Sequence, residues 1–289
     1  MMKEDFDLFL KVFPRTKQET IGKSLWGRNI DVLKLGRGAK KMLFVGAHHG
    51  MEHLTSKLLL SFAFRYETAI QNDFKICGES AKALSENYTL YILPMLNPDG
   101  VDLSIFGLSA PDIKNRSFLE KINPSGDFSD WQANARGVDL NHNYDAFWDL
   151  SKKAEKENGI LGAGKTRFSG PHPESEPEVF ALCRFTEREN FDIVCAFHSQ
   201  GKVIYHSFFG KEPEKSREIL KRLEQVSCYR GDYTEGIASY GGYKDWFIDK
   251  FQRVGFTIEI GEGKNPLPLS MLDIVYDETL PLLISLLRN

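Results

Sequence analysis

Four short apolar runs punctuate the chain, each bounded by turn residues: Lys41-Met42-Leu43-Phe44-Val45, Tyr88 to Leu96, Ile193-Val194-Cys195-Ala196-Phe197 and Phe256-Thr257-Ile258-Glu259-Ile260-Gly261. Their nearly unbroken apolar or β-branched character predicts strands buried on both faces. Between the first two, Leu54, Leu58, Phe62, Tyr66 and Ile70 recur at helical spacing and predict an amphipathic helix of about five turns. Strand, helix, strand is the pattern of a crossover unit in a mostly parallel sheet. Ile30 to Gly36 mostly alternates apolar and polar residues, as an edge strand does, and Val203-Ile204-Tyr205 predicts a further short strand. Helices are expected over Glu174 to Arg188, Pro213 to Ser227 and Leu272 to Leu287.

The first 29 residues are polar with scattered anchors, Phe6, Leu8, Phe9, Leu10 and Val12, which predict a short helix within residues 1–20. From Ser104 to about Gly170 the pattern becomes irregular, and the interspersed Phe118, Trp131, Tyr144, Phe147 and Trp148 predict ordered loops around a site. With no repeat or linker, the expectation is one α/β domain over residues 1–289, a mixed, mostly parallel central sheet flanked by helices. A hydrophobic content of 42%, a charged content of 27% and a mean hydropathy of -0.34 fit an ordinary globular protein. A net charge of -3 without a basic tail gives no reason to expect a nucleic-acid partner. Cys77, Cys183, Cys195 and Cys228 form no C-x-x-C pair, which fits a reducing compartment. The acidic start of the chain lacks the basic and then apolar pattern of a signal peptide, and no 18-residue apolar run follows. A cytoplasmic location with no membrane span is therefore expected, and the oligomeric state is not legible.

Three of the predicted strands carry chemistry at or near their ends. Val45-Gly46-Ala47-His48-His49-Gly50-Met51-Glu52 delivers a His and a Glu three residues apart across a glycine turn, the third run leads into His198, and Glu259 interrupts the last. In open α/β sheets sites gather beyond the carboxyl ends of the strands, so parallel neighbours would bring these side chains together. His49, Glu52 and His198 then form a His2Glu set that suits one catalytic zinc with a position left for water. Glu259 is the candidate general base, because a carboxylate in an apolar strand is costly unless it is paired, metal-bound or protonated. His48 should point away from His49 if the strand pleat continues, His53 should lie on the first turn of the helix, and His172 and His206 carry no motif.

Read together, His49-x-x-Glu52, Asn97-Pro98-Asp99-Gly100-Val101, Arg136-Gly137-Val138-Asp139-Leu140-Asn141, His198-Ser199, Gly241-Gly242-x-x-Asp245-Trp246 and Thr257-Ile258-Glu259 resemble, in order, the zinc carboxypeptidases of the M14 type. The resemblance implies that fold, one Zn2+ on His49, Glu52 and His198, Glu259 as base, and an arginine that polarises the scissile carbonyl, for which Arg136 is the candidate. Substrate contacts would come from Asn141, from the residue after it, from a tyrosine and from the residue before Asp245. In the digestive-type enzymes an arginine follows the asparagine, whereas here it is His142, which lacks the guanidinium fork that grips a terminal carboxylate. Ile237 occupies the family's tyrosine position, leaving Tyr233 and Tyr240 as substitutes. Lys244 precedes Asp245 and would favour a substrate with an extra carboxylate.

Within the family the combination is most similar to the bacterial γ-D-glutamyl-L-diamino acid peptidases, which implies cleavage of murein peptides. Three other readings stay open: a C-terminal exopeptidase on ordinary peptides, a zinc N-acyl amino acid deacylase, and a catalytically silent peptide-binding module.

Overall fold

The computed structural model describes residues 2–288; Met1 and Asn289 of the expected 1–289 unit lie outside the described residues. The strands are β1 (Lys17–Lys23), β2 (Asn29–Gly36), β3 (Lys40–Val45), β4 (Lys75–Ile76), β5 (Glu79–Ser80), β6 (Tyr88–Leu93), β7 (Ile193–His198), β8 (Val203–Tyr205), β9 (Arg230–Asp232) and β10 (Val254–Glu259). The helices are α1 (Met2–Val12), α2 (Leu54–Asn72), α3 (Ala81–Asn87), α4 (Pro98–Phe106), α5 (Arg116–Ile122), α6 (Trp148–Glu157), α7 (Pro177–Glu189), α8 (Glu214–Val226), α9 (Tyr243–Phe251) and α10 (Leu272–Leu286). Eight strands form one mixed sheet in the order β1-β2-β6-β3-β7-β10-β8-β9, and β4 with β5 makes a small separate hairpin.

The four central strands β6, β3, β7 and β10 are parallel, which accounts for their unbroken apolar sequences, because helices cover both of their faces. On one face Phe44, Phe197 and Ile258 pack with Phe9, Leu58, Phe62 and Leu283 from α1, α2 and α10. On the other, Val45, Val194 and Ala196 pack with Leu182 of α7, Phe247 of α9 and Tyr144. A satellite core of Trp26, Leu103, Leu119, Phe128 and Trp131 fills the space beneath the long loops, so the aromatics of that irregular stretch do anchor ordered structure.

The sheet differs from expectation at its margins. β2 is not an edge strand: the polar strand β1 pairs along it and takes the edge position. β1 is almost wholly exposed, so it carries no alternation to read. The N-terminal helix buries Phe6 and Phe9, and Phe13 just beyond it is buried too, while the expected anchors Leu8 and Val12 lie outside, each 52% exposed. Helices α4 to α6 arise where a turn or loops were read, and α9 where no element was predicted, because each is short and held by tertiary packing more than by its own pattern.

Candidate metal centre and active site

Register aligns the ends of the parallel strands. Val45 stands opposite Ala196 and Thr257 opposite Ala196, so β3, β7 and β10 finish at one edge of the sheet. His198 lies directly opposite Glu259. Beyond Val45 the chain leaves the sheet through a tight loop. Thr55 Oγ1 accepts from the Ala47 N–H and donates to the Glu52 carbonyl, closing the loop onto the start of α2. Asn97 Nδ2 donates to the His48, Gln132 and Ala133 carbonyls, while its Oδ1 accepts from the Gly100 N–H. Gly50 is required here by close approach, since a Cβ on it would stand 2.2 Å from the Gly100 carbonyl oxygen.

These restraints bring His49, Glu52 and His198 into one cluster whose ligand atoms all lie within 4.8 Å of one another. Glu52 Oε1 is 2.9 Å from His49 Nδ1, Glu52 Oε2 is 2.9 Å from His198 Nδ1, and the two Nδ1 atoms are 3.3 Å apart. Two imidazole nitrogens and a carboxylate aimed at one point form a donor set that fits zinc, leaving a coordination position for water. On the far side of the His49 ring, Nε2 donates to Asp139 Oδ1 at 3.1 Å, which leaves the Nδ1 lone pair for a metal. Asp139 also accepts from the backbone N–H groups of Asn141 and Arg167. Burial works against its charge, but the His49 and His142 charges and these hydrogen bonds outweigh it and hold the carboxyl well below the usual range. Glu52 is likewise held at about 2 against burial, by His49 and His198.

Glu259 is pushed well above the ordinary carboxyl range, by burial and then by the charge of Glu52. A carboxylate raised in this way beside a metal cluster is suited to accept and return a proton. His48 is fully buried; its Nε2 meets the Tyr144 hydroxyl at 3.1 Å and its ring stacks on His198 at 5.2 Å. Burial lowers it and keeps it neutral, so it is packing beneath the ligand and not a second charge. His53 stands one residue before α2, at its cap.

The remaining expected site residues fall into two groups. Asn141, His142 and Tyr240 come together where the loop 140–146 meets the segment 240–243. Asn141 Oδ1 accepts from the Tyr243 N–H in the first turn of α9, and His142 Nδ1 donates to the Tyr240 carbonyl at 3.1 Å. Gly241, with φ of 73°, permits the approach, because a Cβ there would sit 2.5 Å from the His142 carbonyl oxygen. The Tyr240 ring stacks on Phe209, Ile237 is buried, and Tyr233 is 60% exposed beside His206. Lys244 is buried: its ammonium donates to the Ser207 carbonyl at 2.6 Å and pairs with Asp245. Arg136 has a different partner, with Nη1 3.3 Å from Glu176 Oε1, and it takes no part in the hydrogen bonds or ion pairs of the cluster.

Asp139 was quoted within a motif but given no role by sequence reasoning. Its signal was the one that singled out Glu259, an acid set between apolar neighbours, Val138 and Leu140. Thr166, whose hydroxyl joins Gln132 to Asp139, had no signal because its loop is irregular.

An eight-stranded mixed sheet with a His2Glu cluster at the ends of its parallel strands is the architecture of a zinc hydrolase. The chain belongs to the zinc carboxypeptidase family, peptidase M14, whose model matches residues 6–281. It is therefore a zinc metallopeptidase with a carboxypeptidase fold. It is 35% identical over 280 residues to gamma-D-glutamyl-L-diamino acid endopeptidase 1 of Lysinibacillus sphaericus, covering 97% of this chain and 69% of that relative. It is 33% identical to the uncharacterized protein YqgT of Bacillus subtilis (strain 168), covering 96% and 73%. Among solved structures, bovine thrombin-activatable fibrinolysis inhibitor in complex with tick carboxypeptidase inhibitor superposes with a TM-score of 0.73 at 20% identity, over 99% of this chain and 95% of that one. Murein-tripeptide amidase MpaA from Escherichia coli O157 superposes at 0.56 and 20%, over 94% and 92%. At these identities the two structures speak to the fold. Among the described residues no helix is long and apolar enough to cross a membrane.

Proposed function

We propose that this chain hydrolyses the amide bond between a γ-linked D-glutamyl residue and a diamino acid in cell-wall peptides. His49, Glu52 and His198 hold the metal, and Asp139 orients His49. Zinc, when bound there, supplies Lewis acidity and lowers the pKa of a water. Glu259 takes the proton from the attacking water and passes it to the departing amine. Arg136, whose Nη1 stands 3.3 Å from Glu176 Oε1, is given no step in this route.

The observation that carries the substrate reading is the polarity of the sheet face leading away from Glu259. Glu259, Thr257 and Gly255 alternate along β10 on that face. The stem of Lys244 lies over Gly255, where a Cβ would meet Lys244 Cγ at 3.3 Å. The strip therefore ends on the Lys244–Asp245 ion pair, where an ordinary apolar leaving residue would want apolar walls. The Lys244 ammonium is buried and donates to the Ser207 carbonyl and to Asp245, so it adds a fixed, paired charge at the end of the strip. His142, whose Nδ1 already donates to the Tyr240 carbonyl, offers no guanidinium fork to a main-chain carboxylate. The 35% identity to a γ-D-glutamyl-L-diamino acid endopeptidase supports the same substrate class. The four unpaired cysteines support turnover of such peptides in a reducing, cytoplasmic setting.

The test is a panel of γ-D-glutamyl-diaminopimelate, γ-D-glutamyl-lysine and ordinary C-terminal dipeptides, with products read by mass. Purified protein should hold about one zinc per chain, as a three-ligand site requires. Glu259→Gln should keep the zinc and lose turnover. Turnover by that variant removes Glu259 as base, and exclusive cleavage of ordinary C-terminal dipeptides favours the exopeptidase reading.

A further inference from the structure

Two rows of side chains cross the site face of the sheet from β7 to β9. The first is His198, Glu259, Val203 and Arg230; the second is Ala196, Thr257, Tyr205 and Asp232. Paired residues share a face, and Gly231 between the last two members turns the other way, because a Cβ on it would stand 2.5 Å from the Leu220 side chain in the opposite core. With strands about 4.8 Å apart and about 3.3 Å of rise per residue, the Tyr205 Cα lies roughly 8 Å from that of Glu259 and the Asp232 Cα roughly 12 Å.

Both groups are free to meet a ligand. Tyr205 is half-buried, and its hydroxyl has no protein partner among the described residues. Asp232 is exposed and accepts the Tyr233 N–H at 2.8 Å, with no cation paired to it among the described residues. The nearest cation in the rows, Arg230, turns its guanidinium back to the Tyr229 and Glu224 carbonyls. Burial and the charges of Glu259 and Asp232 raise the Tyr205 phenol, so it stays protonated and keeps lone pairs to accept with.

We propose that Tyr205 and Asp232 seat the side-chain amino group of the residue on the leaving side of the scissile bond. The proposal rests on the peptidase reading above and adds to it the residues that select a diamino acid. The leaving nitrogen must lie beside Glu259, and a lysine or diaminopimelate side chain reaches about 6 Å from its Cα to its terminal nitrogen. That length brings the ammonium to the second row, where the phenol oxygen accepts one N–H and the Asp232 carboxylate accepts another and neutralises the charge.

The experiment uses the zinc-loaded full chain with two substrates, N-acyl γ-D-glutamyl-L-lysine and its γ-D-glutamyl-L-alanine counterpart. Asp232→Asn and Tyr205→Phe should each lower kcat/KM for the lysine peptide by about tenfold, the scale of a hydrogen bond to a charged group, and leave the alanine peptide unchanged. Calorimetric titration of the metal-free protein with the same peptides supplies a readout apart from turnover: the parent should bind the lysine peptide more tightly, and Asp232→Asn should erase the difference. Asp232→Lys should remove lysine-peptide cleavage selectively, and its melting temperature separates this from misfolding. Equal losses on both peptides, or no loss on either, overturn the seat while leaving the peptidase reading intact. A parent protein that cleaves neither peptide overturns both.

Discussion

At the scale of single residues, Asp139 has the most to tell. Its four donors, His49 Nε2, the Asn141 and Arg167 N–H groups and the Thr166 hydroxyl, surround both carboxylate oxygens. An amide cannot accept from all of them, so Asp139→Asn places an N–H against a donor and releases the His49 ring. Zinc affinity should fall about 10- to 100-fold, the usual cost of losing the partner behind a metal-bound histidine. Competition with a chelator of known affinity measures it, and an unchanged affinity removes Asp139 from this role. The grouping of His49, Glu52 and His198, and the placing of Glu259 at the end of a neighbouring strand, could be anticipated because a charged or ligand-type side chain at the end of an apolar strand needs a reason to be there. Lys244 could be singled out from the sequence but its state could not, since the partners that bury it, Ser207 and Asp245, depend on where β8 and α9 meet. Tyr205 was not legible at all: a tyrosine in a three-residue strand is unremarkable until its row is known.

At the scale of elements, the metal loop owes its shape to a neighbour distant in sequence. Asn97 caps α4 and at the same time holds the loop through the His48 carbonyl and the long segment through Gln132 and Ala133. Asn97→Ala loses a helix cap worth about 1 kcal/mol and strands buried carbonyls at about 1–3 kcal/mol. At about 2–4 °C per kcal/mol for a chain of this size, calorimetry should record a fall of about 5–15 °C in Tm. A Tm equal to the parent's would mean that the loop holds itself. The four central strands, α2, α7, α8 and α10 could be anticipated from periodicity because each buries a continuous face. β1, β9 and α9 could not, since edge strands and short helices take their conformation from what they pack against.

At the scale of the whole molecule, three acidic side chains, Asp99, Glu176 and Glu178, are buried where the β1–β2 turn, α4 and the start of α7 meet. Arg28 and Ser24 satisfy Asp99, while Glu178 accepts from the Leu25 N–H. Burial, with the charges of Asp99 and Glu176 added, raises Glu178 from 4.5 to about 8. The folded chain therefore keeps a proton that the unfolded chain releases, so the contribution of Glu178 to stability is full below pH 4.5 and is lost as pH rises towards about 8. Glu178→Gln is neutral throughout and retains an acceptor for Leu25; thermal melts from pH 5 to 8 should run flatter than the parent's, with a higher Tm at pH 8. Identical pH profiles would mean that Glu178 does not bind this proton. By itself the sequence determined which residue types could bind a metal and move a proton, and that they sit at strand ends, because ligand chemistry and strand periodicity are local. Only the tertiary structure decided that these ends meet, that Arg136 stands beside Glu176, and that Tyr205 and Asp232 share a row with the site. Strand order and register join residues far apart along the chain, and local pattern carries no record of them.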